Sequence, residues 1–203
     1  MQKQQRLSEA ILEANREGTD IHDAAFRQQD AAALDFGRID LRDCVFSDCR
    51  LAGCRFPATG FQRVTFEHCD LSGAVLLECG LREVTFRDCR LLGASGAECL
   101  LRQVTFLQCS GQYLNLSGCT LRDCVLRDCQ LRNSALARMK CQKVMTDSCD
   151  FTGSDFSGTR LNGFNLTTCE IEGCTWTPDC LRGLTVSMPQ ALDLSRLLGI
   201  TIQ

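Results

Sequence analysis

The sequence predicts an all-β fold: a right-handed parallel β-helix of square cross-section, a solenoid of about eight coils, with a short capping helix at each end. Three observations predict it. Apolar residues recur every five positions: of the 34 sites at 21, 26, 31 and so on to 186, 29 are Leu, Phe, Ile, Val or Trp. Fourteen of the 16 cysteines keep the same interval two residues earlier, as at Cys44, Cys49, Cys69, Cys89 and Cys174. Whole phrases return at multiples of twenty, among them LRDCVFSDCRLAG from 41, LREVTFRDCRLLG from 81 and LRDCVLRDCQLRN from 121.

A period of five suits neither regular element. In an α-helix a five-residue step turns about 500°, so successive apolar residues would land about 140° apart and spiral round the surface. In a flat strand an odd step alternates faces. The chain must therefore bend once per repeat, and four bends of five residues close a square. Stacked coils then form parallel ladders about 4.8 Å apart, and parallel connections wind right-handed.

The elements follow in chain order. In residues 6–17, RLSEAILEANRE, Leu7, Ala10, Ile11 and Ala14 share one stripe and Gly18 is a stop signal, so a helix is expected over the first coil. One wall then carries Phe26, Phe46, Phe66, Phe86 and Phe106, and another Leu41, Phe61, Leu81, Leu101, Leu121 and Leu161, as interior ladders. The cysteine slot also points inward, near a corner, where a small and weakly polar group fits. Glycines at 53, 73, 93, 153, 173 and 183 are expected at one turn position, and Pro57 where a wall turns. Ala31, Gly96, Gly111, Cys141 and Thr146 fill central slots poorly; a locally distorted coil is expected between Gly96 and Gly111, with Leu114 or a neighbour filling the gap. Ser187 and Gln190 form a capping box, Pro189 lies in the first turn and Gly199 terminates a second helix, followed by a short β segment. The organisation expected is an N-terminal cap over 1–20, the β-helix over 21–186, and a C-terminal helix with a β segment over 187–203.

Composition excludes more functions than it suggests. A net charge of −3 over 203 residues is too small to imply either a nucleic-acid binder or a polyanion. No run reaches the roughly 18 apolar residues of a membrane span, and the N-terminus lacks the apolar core of a signal peptide, so a reducing cytoplasm is expected. There is no C-x-x-C, and five-residue steps send neighbouring thiols to different corners; structural core is the reading of the cysteines, with no metal or cofactor. Neither His22 nor His68 has a nucleophile partner, and no phosphate-binding glycine loop appears. Catalysis is not expected. On the outer surface Arg42, Arg82, Arg102 and Arg122 should line one column, with Asp43, Glu83 and Asp123 in the next and Asp48, Asp88 and Asp128 on the following side, broken by His68 and Gln108. These are a solvated, mutually paired face or a wall for an acidic or mixed-charge partner.

The units CVFSD, CRLAG, CDLSG, SDFSG and TRLNG resemble the pentapeptide-repeat proteins over roughly residues 21–186. The resemblance implies a right-handed quadrilateral β-helix. Relatives of this kind include quinolone-resistance proteins that act on DNA gyrase and topoisomerase IV as mimics of duplex DNA. Some of those use projecting loops, and this chain has no frame change that would betray one. The tail resembles their dimerising end, making Leu192, Leu194, Leu197, Leu198 and Ile200 a candidate tail-to-tail homodimer interface, with a cap in a monomer as the other reading. The expected function is therefore non-enzymatic binding of a type II topoisomerase, or of an unrelated partner by an interaction scaffold.

Overall fold

The computed structural model describes residues 6–199, and only the backbone of Leu198; Ile200 and the β segment expected around it lie outside these residues. The chain winds as a parallel β-solenoid whose coil-to-coil registers step by twenty residues: Leu41 pairs with Phe61, Phe61 with Leu81, Leu81 with Leu101 and Leu101 with Leu121. This register accounts for the recurring phrases. Four walls result. The first runs through seven strands from Ile21–His22 to Lys140–Gln142, and the second through seven from Ala25–Arg27 to Met145–Asp147. The third is held by single bridges such as Arg50↔Asp70, and the fourth by the pair Arg55–Pro57 and Val75–Leu77 with bridges beyond it.

Seven strands in a ladder mark about six turns of strand-grade pairing, which fits the solenoid of about eight coils expected. Beyond the small centres Cys141 and Thr146, pairing falls to isolated bridges such as Asp155↔Thr175 and Asn165↔Thr185. The winding continues there without strand-grade ladders.

The interior is a set of vertical stacks. Along the second wall the rings of Phe26, Phe46, Phe66, Phe86 and Phe106 follow one another at centroid distances of 5.2, 4.9, 5.1 and 5.0 Å. Stacking within 4.5–7 Å adds to the gain from burying each ring. The cysteine slot is buried too, and the thiols do more than fill space. Cys49 Sγ donates to the Phe26 carbonyl at 3.4 Å, and Cys69, Cys89, Cys109 and Cys129 repeat the bond twenty-three residues back. Where serine or threonine takes the slot, the hydroxyl makes the same bond: Ser154 Oγ to Leu131 at 2.8 Å, Thr159 Oγ1 to Leu136 at 2.6 Å.

Three expectations need correction. The coil between Gly96 and Gly111 is not distorted: bridges Ser95↔Asn115 and Ser110↔Gln130 keep the register. Side chains one coil on close most of the space, since a Cβ on Gly96 would sit 3.5 Å from Leu116 Cδ2, and one on Gly111 only 2.9 Å from Leu131 Cδ2. Gly183, at φ 80°, turns a different corner from Gly53 and Gly73, because it lies three residues into a coil and they lie thirteen. Pro57 ends a strand and the corner follows at Ala58. A void of about 30 Å³ remains beside Gly96, lined by Leu71, Leu76, Leu91 and Leu116 among others. Gly96→Ala therefore adds a methyl at ordinary contact distance and removes backbone freedom from the unfolded chain. It is expected to stabilise the protein by about 0.5–1 kcal/mol, read as a rise in thermal midpoint; an unchanged or lower midpoint contradicts it.

Both ends are covered. Helix α1, Leu7–Glu17, buries Leu7, Ala10, Ile11 and Ala14 against the first coil and stops at Gly18, whose left-handed conformation lets its N–H reach the Ala14 carbonyl. Asn15 Nδ2 ties the helix down by donating to the Phe36 carbonyl at 3.0 Å. Helix α2, Met188–Ser195, has the capping box expected of Ser187 and Gln190, and Gln190 Nε2 also donates to the carbonyls of Leu166 and Cys169 at 2.8 and 2.7 Å. One side chain thus starts the helix and satisfies two carbonyls of the open end.

Candidate partner-binding walls

The outward positions are set by the coil. In each repeat the two residues flanking the buried centre face solvent, and the corner residue follows. At the corners, 21 non-glycine residues among those described adopt positive φ, including Asp43, Asp48, Glu83, Asp88, Asp123 and Asp128. The acidic candidates therefore stand on corners, the basic ones on a wall.

Arg42, Arg82, Arg102 and Arg122 do share one column of the first wall, with Gln62 between the first two and Gln142 after the last. Their surroundings differ from end to end. Arg42 lies 3.2 Å from both Asp20 and Asp40, and Arg82 lies 3.2 Å from Glu83. Arg122 donates instead to the Gln142 side chain at 2.9 Å. The neighbouring corner holds Asp43, Arg63, Glu83, Gln103, Asp123 and Lys143, so it is not the acidic line that picking out every second coil suggests. Arg63 donates twice to Asp43, through Nε and Nη2 at 2.6 Å each. This hydrogen-bonded guanidinium holds the Asp43 carboxyl below its usual range. Lys143 stands 3.9 Å from Asp123. At the following corner His68 lies 3.7 Å from both Asp48 and Asp88, while Asp128 stands two coils further on.

Pairing across coils is the rule on the other walls: Arg50 with Asp30, Arg55 with Asp35, Arg87 with Glu67, Arg127 with Asp147, Arg132 with Asp150. Each partner is eighteen or twenty residues away, a distance at which a linear reading of charge shows nothing. Among the described residues no three His, Cys, Asp or Glu side chains converge as metal ligands would, and no helix is long and apolar enough to cross a membrane.

At the C-terminal end, Leu192 and Leu197 are exposed and Leu194 half-buried, with Leu194 and Leu197 beside Trp176 and Ile171 around a shallow depression.

A model of the pentapeptide repeat region matches residues 59–136, and a second, of pentapeptide repeats in eight copies, matches 147–174. The chain is a pentapeptide-repeat protein. No curated protein matches the sequence. Among solved structures of the family, a trypsin-treated form of QnrB1, a plasmid-mediated fluoroquinolone resistance protein, superposes with a TM-score of 0.50 at 20 % identity, over 91 % of this chain and 94 % of its own. HetL, a pentapeptide-repeat protein involved in heterocyst differentiation regulation from the cyanobacterium Nostoc sp. strain PCC 7120, gives 0.30 at 18 % identity, over 91 % and 98 %. At 20 % identity the likeness to QnrB1 is one of fold.

Proposed function

We propose that this pentapeptide-repeat chain is a non-enzymatic binding protein of the cytoplasm, that its rod wall engages a protein partner, and that a type II topoisomerase, gyrase or topoisomerase IV, is that partner. One observation carries the binding reading: side chains fill the interior, so every ionisable group placed to meet another molecule stands on the outer walls at coil spacing. Such a surface suits an extended contact. The topoisomerase is supported by overall shape, shared with QnrB1 over most of both chains. The exposed Leu192 and Leu197 support a tail-to-tail homodimer, which doubles the rod.

A second reading, a scaffold for an unrelated partner, is favoured by charge. The first wall is lined by arginines, not by acids spaced as phosphates would be. A supercoiling assay with purified gyrase, with and without a quinolone, separates the two. Relief of quinolone inhibition or a loss of supercoiling at micromolar protein is expected from the first reading; no effect on either leaves the scaffold.

A further inference from the structure

The cations of the first wall change character along the rod. From Arg42 to Arg82 they sit beside carboxylates. From the fifth coil onward Arg102, Arg122, Arg138, Lys140, Arg160 and Arg182 are all exposed, and no carboxylate lies within ion-pair distance of any of them among the described residues. A chain that pairs seven other arginines across coils leaves these six cations without an acid in ion-pair reach among the described residues. Two adjoining depressions lie over this stretch, of about 590 and 880 Å³, with Arg160 on the rim of both.

We infer that this half of the first wall is a docking surface for an acidic α-helix of a protein partner lying along the rod axis. The inference rests on the reading of the rod as a protein-binding surface, and names its wall and the chemistry it accepts. Spacing selects the helix. Register places Arg122 directly above Arg102, one coil further on, and coils rise about 4.8 Å. A helix presents one residue per turn on a given face every 5.4 Å or so, so the mismatch is about 0.6 Å per coil and about 2.4 Å over four coils. Arginine and lysine stems absorb that. An extended peptide presents same-side residues every 6.6 Å or so, and over the same four coils it slips by about 7 Å. A duplex carries one charge per about 1.7 Å, too dense for six cations.

The test uses a fluorescent 18-residue helix, stapled on its far face, with one glutamate per turn on the near face. Binding to the full chain is followed by anisotropy. A micromolar Kd is expected, falling off with salt. Each exposed pair is worth up to about 1 kcal/mol, so Arg122→Glu with Arg160→Glu is expected to weaken binding by about tenfold or more. Arg102→Glu with Arg182→Glu, at other coils, should do the same. Arg50→Glu with Arg90→Glu, on the third wall, should not. A scrambled peptide of equal charge is expected to bind about tenfold more weakly as well. The inference is overturned if the scrambled peptide or a 20-base-pair duplex binds as tightly, if neither wall pair matters, or if nothing binds. Peptide binding with no effect on gyrase removes the topoisomerase and keeps the wall; the reverse outcome keeps the topoisomerase and removes this wall.

Discussion

Phe66→Ala is expected to cost about 4–5 kcal/mol, the upper end of the range for emptying a buried phenylalanine site. Phe66 is 1 % exposed and lies mid-ladder, with Phe46 below at 4.9 Å and Phe86 above at 5.1 Å, their planes tilted by 14° and 5°. Phe61, across the corner, meets it at 6.2 Å. The mutation therefore opens a cavity and removes two stacked pairs, each worth about 0.5–1.5 kcal/mol beyond burial. The walls cannot collapse inward, since each coil is hydrogen-bonded to the coils on both sides. Domain stabilities are about 5–15 kcal/mol, so this one change takes a large share.

The solenoid adds a second consequence. Each coil contacts only its neighbours, so a weak coil uncouples the parts on either side. Urea unfolding of Phe66→Ala should broaden or split into two phases, whereas Phe26→Ala, with one stacked ring neighbour, should shift the midpoint less and leave one phase. If the alanine variant does not fold, Phe66→Leu decides. Leucine already occupies this ladder at Leu126, so a cost of about 1–1.5 kcal/mol is expected. Equal losses at Phe26 and Phe66 would mean the stacks contribute nothing beyond area.

How much of this the sequence shows depends on which direction the physics runs. Whatever repeats every five residues is legible, because each central side chain has one place to go. Phe46 and Cys49 can be placed inside without coordinates. What depends on the neighbouring coil is harder to see. Gly96 and Gly111 look like defects in a linear reading, and the leucines at 116 and 131 that close over them become visible only when coils are superposed. Arg63 and Lys143 stand in the same corner as Asp43 and Asp123, and a search for like charges passes over them. The corner residues at positive φ are illegible for another reason: aspartate, glutamine, histidine and tyrosine all adopt it, because the ladder on each side holds the backbone whichever side chain projects outward. The group of unpaired cations from Arg102 to Arg182 combines both difficulties, since it is defined by partners absent twenty residues away.

The cysteines yield the other large effect: in the presence of reductant the protein is expected to unfold as pH rises through about 9–10. Burial pushes the thiols of Cys54 and Cys119 up to about 11 and about 12. Burial does the same to Cys141 and Cys174, up to about 12 and about 11. Cys54 and Cys119 are fully buried and the other two half-buried. In the unfolded chain a thiol ionises near pH 8.5. Above that pH the unfolded state holds fewer protons than the native one, so stability must fall. It is complete below about pH 8.5 and drains away until the folded values are reached. By pH 10 each such group has cost about 2 kcal/mol, at 1.36 kcal/mol per unit, and four together about 8 kcal/mol. That equals a typical domain stability. The check is a series of urea midpoints from pH 7 to 10.5, with thiolate absorbance followed alongside circular dichroism; the two signals should change together. Cys54→Ser and Cys119→Thr keep the bond to the coil below, as Ser154 and Thr159 already do in the same two columns, and should recover about 4 kcal/mol of the loss at pH 10. A flat stability profile to pH 10.5, or one that these substitutions leave unaltered, would show that the thiols ionise inside the folded rod and that their burial carries no such penalty.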